Sequence, residues 1–123
     1  MRQAVLFSAA AALLAAGAAS AHHSGAMFDA SKTTVISGTV TEFRWASPHA
    51  WIYLKVAGPK GTVDYGAELS SVNIIARKGW SKSALAPGDR VEMTTHPMRD
   101  GTPQGLLLTI KLPNGKSLSD HDY

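Results

Sequence analysis

The sequence predicts a mainly β domain: a small OB-like five-stranded barrel with one short helix between strands three and four. A small β-sandwich is the alternative. Three observations carry this expectation. β-Branched and aromatic residues recur in runs of strand length with period-two alternation. One stretch with helical punctuation falls after the third such run. The 123-residue chain also contains no cysteine, so a domain this small depends on its core, which a closed barrel can supply without leaving sheet edges open.

The first element is a leader. Arg2 gives a short positive start, Ala4 to Ala16 form an apolar run, and Ala19-Ser20-Ala21 place small residues where a signal peptidase reads. The apolar run is shorter than the ~20 residues a membrane span needs. Residues 1–21 therefore read as a cleaved secretory signal, which leaves roughly 100 residues, a single domain. Export implies a periplasmic or secreted protein, with no stable membrane anchor after cleavage. Residues 22–32 are polar and mixed and read as an N-terminal arm.

The barrel is expected over residues 33–118. Thr33 to Phe43 is the first strand, with Gly38 suggesting a bulge or sharp bend inside it. Pro48 cannot donate to a ladder and ends the run. In Ala50 to Val56, Ile52, Leu54 and Val56 share one face, and Trp51, Tyr53 and Lys55 share the other. Gly58-Pro59-Lys60-Gly61 turns the chain into a third strand, Thr62 to Glu68. Ser70 to Gly79 then carries helix signals: serine at the start, Arg77 and Lys78 in the last turn, and Gly79 as the stop. Pro87-Gly88-Asp89 launches a fourth strand, Arg90 to His96. Gly105 to Leu112 is the fifth, with Leu106, Leu108, Ile110 and Leu112 placed on one face. Pro113-Asn114-Gly115 is a hairpin turn, after which Lys116 to Leu118 can pair back. Residues 119–123 read as a flexible tail.

Composition narrows the function classes. Hydrophobic residues make up 45% of the chain, which argues against disorder. The net charge of +3 is too small for a nucleic-acid binder, which needs a concentrated basic stripe. Without cysteine there are no disulfides, thiolate metal sites or cysteine nucleophiles. No phosphate-binding glycine loop, nucleophile elbow or carboxylate dyad is present. No catalytic residue is assigned, and binding without turnover is the expectation.

The residues that carry chemistry are histidines. Cleavage after Ala21 makes His22 the N-terminal residue, and its α-amino group, with an ordinary pKa of about 7.7–8.0, is easily deprotonated. Amine and ring nitrogen of one residue can then chelate one metal ion. A third nitrogen from another histidine completes a T-shaped, nitrogen-rich site that suits copper. His23 is a ligand or a bystander. His49 and His96 both fall off the core face by parity and are expected to reach solvent or a groove. His96-Pro97-Met98 sets imidazole and thioether two residues apart, a soft pair suited to Cu(I). Glu68, at a strand end, can orient a histidine. His121 lies in the tail and receives no role. Trp45, Trp51 and Tyr53 form an aromatic cluster around His49. It can bind a ligand by stacking or pack beneath the arm.

Several stretches read together also resemble a known family. They are His22-His23-Ser24 through Phe28-Asp29, Gly38-Thr39-Val40, Trp45 through Pro48-His49 with Trp51, Gly79-Trp80, Pro87-Gly88-Asp89, His96-Pro97 and Arg99-Asp100-Gly101. In combination they resemble an uncharacterised secreted bacterial family catalogued as domain of unknown function 6152. Ser47 stands where that pattern has asparagine, and Gly25 where it has an aromatic residue. The resemblance implies a small exported β-domain and no particular activity.

Two expectations for function follow. The first is an exported metal-binding protein for copper, using His22, His23, His49, His96 and Met98. The second is an OB-like module that binds a cell-envelope glycan or protein through Trp45, Trp51 and Tyr53. A redox enzyme built on the same copper is a third, for which the domain offers little substrate surface.

Overall fold

Five of the strands close into a barrel whose order is that of the predicted OB-like fold. The computed structural model describes residues 25–121. The expected leader at 1–21, together with His22 and His23, lies outside the described residues. The elements are a 3₁₀ turn at Gly25–Met27, β1 Thr34–Arg44, β2 Trp51–Gly58, β3 Gly61–Glu68, α1 Val72–Ala76, β4 Arg90–Pro97, β5 Gln104–Lys111 and β6 Ser117–Ser119. β1 pairs antiparallel with both β2 and β4, β2 with β3, and β4 with β5. A parallel pairing of β3 with β5 shuts the barrel. β6 adds to the outer edge of β5. Among the described residues no helix is long and apolar enough to cross a membrane.

The core follows the alternation of β2. Ile52 and Leu54 are fully buried inside the barrel, whereas Trp51 and Tyr53 point outward and are partly covered. Val40, Met93, Leu107 and Ile110 join them from the other strands, and Ile75 and Trp80 from the α1 region pack against the same cluster. The helix is shorter than the sequence suggested, five residues, and its N-cap Ser71 makes no side-chain cap bond.

Two expectations about the strands are corrected. β1 carries its bulge at Thr41, between the Val40–Leu54 and Glu42–Tyr53 pairs, and the Thr41 hydroxyl donates to the Tyr53 carbonyl at 3.2 Å. Gly38 instead lets two backbones approach: a Cβ there would sit 2.5 Å from the Lys55 carbonyl oxygen. In β5, a second bulge at Leu108 separates the Thr95–Leu107 and Thr94–Thr109 pairs. An extra residue reverses side-chain parity. Leu107, not Leu106 or Leu108, therefore shares the interior with Ile110, and Leu106 packs outside with Phe28 and Met98.

The two ends of the described chain are bound to the barrel. Phe28 bridges Met98, the Asp29 amide donates to the Pro97 carbonyl at 2.8 Å, and the Arg99 amide donates to Met27 at 2.9 Å. The Asp29 carboxyl is held below its usual range chiefly by the Ser31 hydroxyl, with Arg99 and Lys32 adding attraction. The tail also differs from expectation. Asp120 is 0% exposed, and the amides of Asp120 and His121 donate to Leu108 and Leu107. Residues 119–121 thus continue the β6 edge, because a buried carboxylate anchors them.

Candidate functional site

The register lines up one row of residues on the outer face: His96 on β4, Leu106 on β5, Glu68 on β3, Trp51 on β2 and Arg44 on β1. Strands lie about 4.8 Å apart, so the His96 and Glu68 backbones, on either side of Leu106, are roughly 10 Å from each other. His49, in the β1–β2 loop after the cis Ser47–Pro48 peptide, joins this row from the side. Backbone bonds from Ala50 to Ser70 (3.2 Å) and from Leu69 to Ala50 (2.9 Å) extend the β2–β3 ladder beneath it.

Both histidines are held in the same way. His49 Nδ1 lies 3.0 Å from the Leu69 carbonyl, and His96 Nδ1 lies 2.7 Å from the Lys32 carbonyl. A carbonyl oxygen only accepts, so Nδ1 carries the proton in each ring. In the neutral imidazole, Nε2 then carries the lone pair. His49 Nδ1 also lies 3.2 Å from Oε1 of Glu68, whose side chain is 4% exposed. The expectation that His96 reaches solvent is corrected. It faces outward, yet it is buried to 3% because the segment through Lys32 crosses over it. His49 is partly exposed, as its parity implied.

Met98 shares a side with His96, since Leu106 pairs with His96 and packs against Met98. Its thioether lies in the small apolar cluster with Phe28 and Leu106.

The tail brings two further groups to this end of the barrel. The Asp120 carboxylate accepts from the Ser70 amide at 2.6 Å, and Lys78 lies 3.7 Å from its other oxygen and bonds the Asp120 carbonyl. The Trp80 indole donates to the Ser119 carbonyl at 2.9 Å. Next to Asp120, Nε2 of His121 lies 3.3 Å from the carboxylate. Burial holds the His121 pKa below its ordinary 6.5; Lys78, His49 and His96 push the same way, and only Asp120 opposes them. Below pH 6.5 the unfolded chain takes up this proton before the folded one does, so His121 costs stability as pH falls through its lowered pKa. Its ring C–H signal should titrate in NMR with a midpoint below 6.5; a midpoint above that value would contradict the burial found here.

Trp45 is not part of the expected aromatic cluster. It packs edge-on to Phe43 at 5.8 Å, and Phe43 lies 6.0 Å from Trp80, so these rings cover the core. Trp51 and Tyr53 do form a pair, near-parallel at 10° with centroids 6.0 Å apart. They lie over Gly66, where a Cβ would come within 3.3 Å of Tyr53 and 3.6 Å of Trp51. Arg44 sits 5.0 Å above the Tyr53 ring and is held by Glu42, which pairs with it through both oxygens and raises its pKa.

Among the described residues, no three His, Asp or Glu side chains are grouped so as to hold a metal ion. An open depression between Ser37, Arg90, Glu92 and Lys111 lies at the far ends of β4 and β5 and includes none of the site residues.

Comparisons with curated proteins and with solved structures find no match. A protein-family model described as Family of unknown function (DUF6152) matches residues 10–108. That match runs from the expected leader through all five barrel strands except the end of the fifth, and the chain belongs to this family.

Proposed function

We propose that this protein is an exported copper-binding protein that acts without catalytic turnover. His22, once freed by cleavage, would chelate through its amine and ring. His96 or His49 would supply the third nitrogen, with Met98 available to Cu(I) and His23 adjacent. The observation that carries this reading is the shared orientation of His49 and His96. Each donates Nδ1–H to a carbonyl, which leaves the lone pair of the neutral ring on Nε2, the tautomer that histidine ligands use. Gly25 begins the segment docked on β4, and His22 precedes it by three residues, a span of at most about 11 Å. A brace needs only one nitrogen beyond the two from His22, so it does not require a ready-made trio among the barrel residues.

The test is a Cu(II) titration of protein exported through its own leader, with the N-terminus confirmed by intact mass. We expect one-to-one binding, a nitrogen-rich EPR spectrum, and weakening at low pH, since the ligands must lose their protons. One extra residue before His22 removes the amine from the chelate and should cost at least about 100-fold in affinity, the upper end of what losing an outer partner alone costs. Equal binding by both forms overturns the reading.

A second reading rests on the Trp51–Tyr53 pair. Two near-parallel rings on the β2–β3 face, flanked by the Arg44–Glu42 fork, suit stacking with a sugar ring of the cell envelope. Trp51→Ala would then abolish glycan binding in a folded protein and leave copper affinity unchanged.

A further inference from the structure

At the end of the barrel away from the histidines, three charged side chains surround one depression. Arg90 and Glu92 are two apart on β4, so they share its outer face. Lys111 on β5 pairs directly with Glu92, and Ser37 on β1 pairs with it from the other side. Both ladders keep their register here, because the bulge between β4 and β5 lies further on, between Thr94 and Thr95. Side chains directly opposite stand about 5 Å apart at Cβ, and Arg90 lies diagonal to Lys111 at about 7–8 Å. The order across the depression is therefore cation, anion, cation. Leu112 and Pro113 add an apolar wall, and the volume is about 390 Å³, within the range of roughly 300–1,000 Å³ for small-molecule sites. A concave surface with apolar walls focuses the field of its charges on one ligand, which a flat charged face does not.

We propose that this depression binds a free acidic α-amino acid, of the aspartate or glutamate type. In such a molecule the carbon that bears the ammonium separates two carboxylates. Its charges complement the site in order, and its net charge of −1 matches the site's +1. Arg90 takes one carboxylate with its planar fork, Lys111 takes the other, and Glu92 takes the ammonium. Ser37 adds a hydroxyl beside Glu92, and the ligand's methylenes lie against Leu112 and Pro113. A plain dicarboxylate would meet repulsion from Glu92, and a neutral amino acid would leave one cation unmatched. A peptide bond would remove the ammonium, so the ligand is the free acid. Arg90 lies about 20 Å along β4 from His96, so this site stands or falls apart from the copper reading.

Backbone amide shifts in ¹⁵N NMR test this, recorded on the mature full chain without copper while L-glutamate is added at low salt. We expect saturable shifts at Ser37, Val91, Glu92 and Lys111, with a Kd on the order of millimolar, since solvent-exposed charge pairs each contribute little. Glutarate, which lacks the ammonium, and L-glutamine, which lacks the second carboxylate, should each bind about 2- to 5-fold more weakly. Arg90→Gln and Lys111→Gln should each weaken L-glutamate by a similar factor. All of these side chains are exposed, so the variants keep the fold. Glu92→Gln is the decisive change. It should weaken L-glutamate and strengthen glutarate, a reversal that a general cationic patch does not produce. Glutarate binding the wild type as well as L-glutamate does would reduce the site to an anion patch and overturn the proposal. Shifts that do not saturate, or that persist unchanged in the variants, overturn it as well.

Discussion

Replacing Asp120 by alanine should destabilise the domain by about 3 kcal/mol, the cost of losing a charge-assisted hydrogen bond together with that of leaving its buried donor without an acceptor. For a domain of this size that lowers Tm by roughly 15 °C or more. The side chain is fully buried and is met by the Ser70 amide at 2.6 Å and by Lys78 at 3.7 Å. Alanine leaves the Ser70 amide inside the protein with no acceptor, while Lys78, about a third exposed, loses the carboxylate and keeps only the backbone carbonyl of residue 120. The loss also spreads. The strand edge that Asp120 anchors supplies the carbonyls for Trp80 and Lys78, so α1 and the Trp80 region lose their hold on the barrel end. Asp120→Asn separates the contributions, because its oxygen can still accept from Ser70 and only the charge is lost; it should cost about half as much. Thermal unfolding of the two variants checks both values. A loss under about 1 kcal/mol for alanine would mean that the tail is as dispensable as its polar sequence suggests.

That polar sequence shows where sequence reading stops. Ser119-Asp120-His121 has no alternation and no apolar residue, so nothing in it announces burial. Only the Pro113-Asn114-Gly115 turn hints that the chain returns along β5. By contrast, β2 is legible because its ladder to β3 is unbroken from Trp51 to Gly58 and its period-two pattern maps directly onto inside and outside. β5 misleads for a definite reason: the bulge at Leu108 reverses parity midway, and a run of three leucines reads the same in either register. The site was legible to a similar degree. Parity places His49 and His96 outside the barrel, and Glu68 can be suspected as an orienting acid. The closeness of His121 to them depends on β3 pairing in parallel with β5, a contact between strands far apart in the chain. Trp45 is displaced because the β1–β2 loop turns its ring toward Phe43, which local pattern does not reveal.

Gly105→Val should be as damaging as the loss of Asp120, by about 3 kcal/mol or more, and for the opposite reason. Gly105 sits opposite Ala67 and Pro97, where β5 joins β3 in the parallel closure. A Cβ there would overlap the Tyr65 hydroxyl and lie 2.7 Å from Thr95 Oγ1 and 2.8 Å from Thr95 Cβ. Those two side chains cannot simply move away. They share a buried hydrogen bond of 2.9 Å, and burial has already raised the Tyr65 pKa, so the phenol is held neutral in a closed space. Valine must therefore break the Tyr65–Thr95 bond, leaving two polar groups unsatisfied in the interior, or push β5 away from β3 and open the barrel. Overpacking alone costs about 1–3 kcal/mol, and unpaired buried hydroxyls add to it. A compensating change distinguishes the two routes. Tyr65→Phe removes the hydroxyl that the new side chain meets first, so it should restore part of the loss in the Gly105→Val background while costing stability on its own. If the double variant is no more stable than Gly105→Val alone, the strain lies in the backbone of the closure, and the barrel is held shut there by the absence of a side chain.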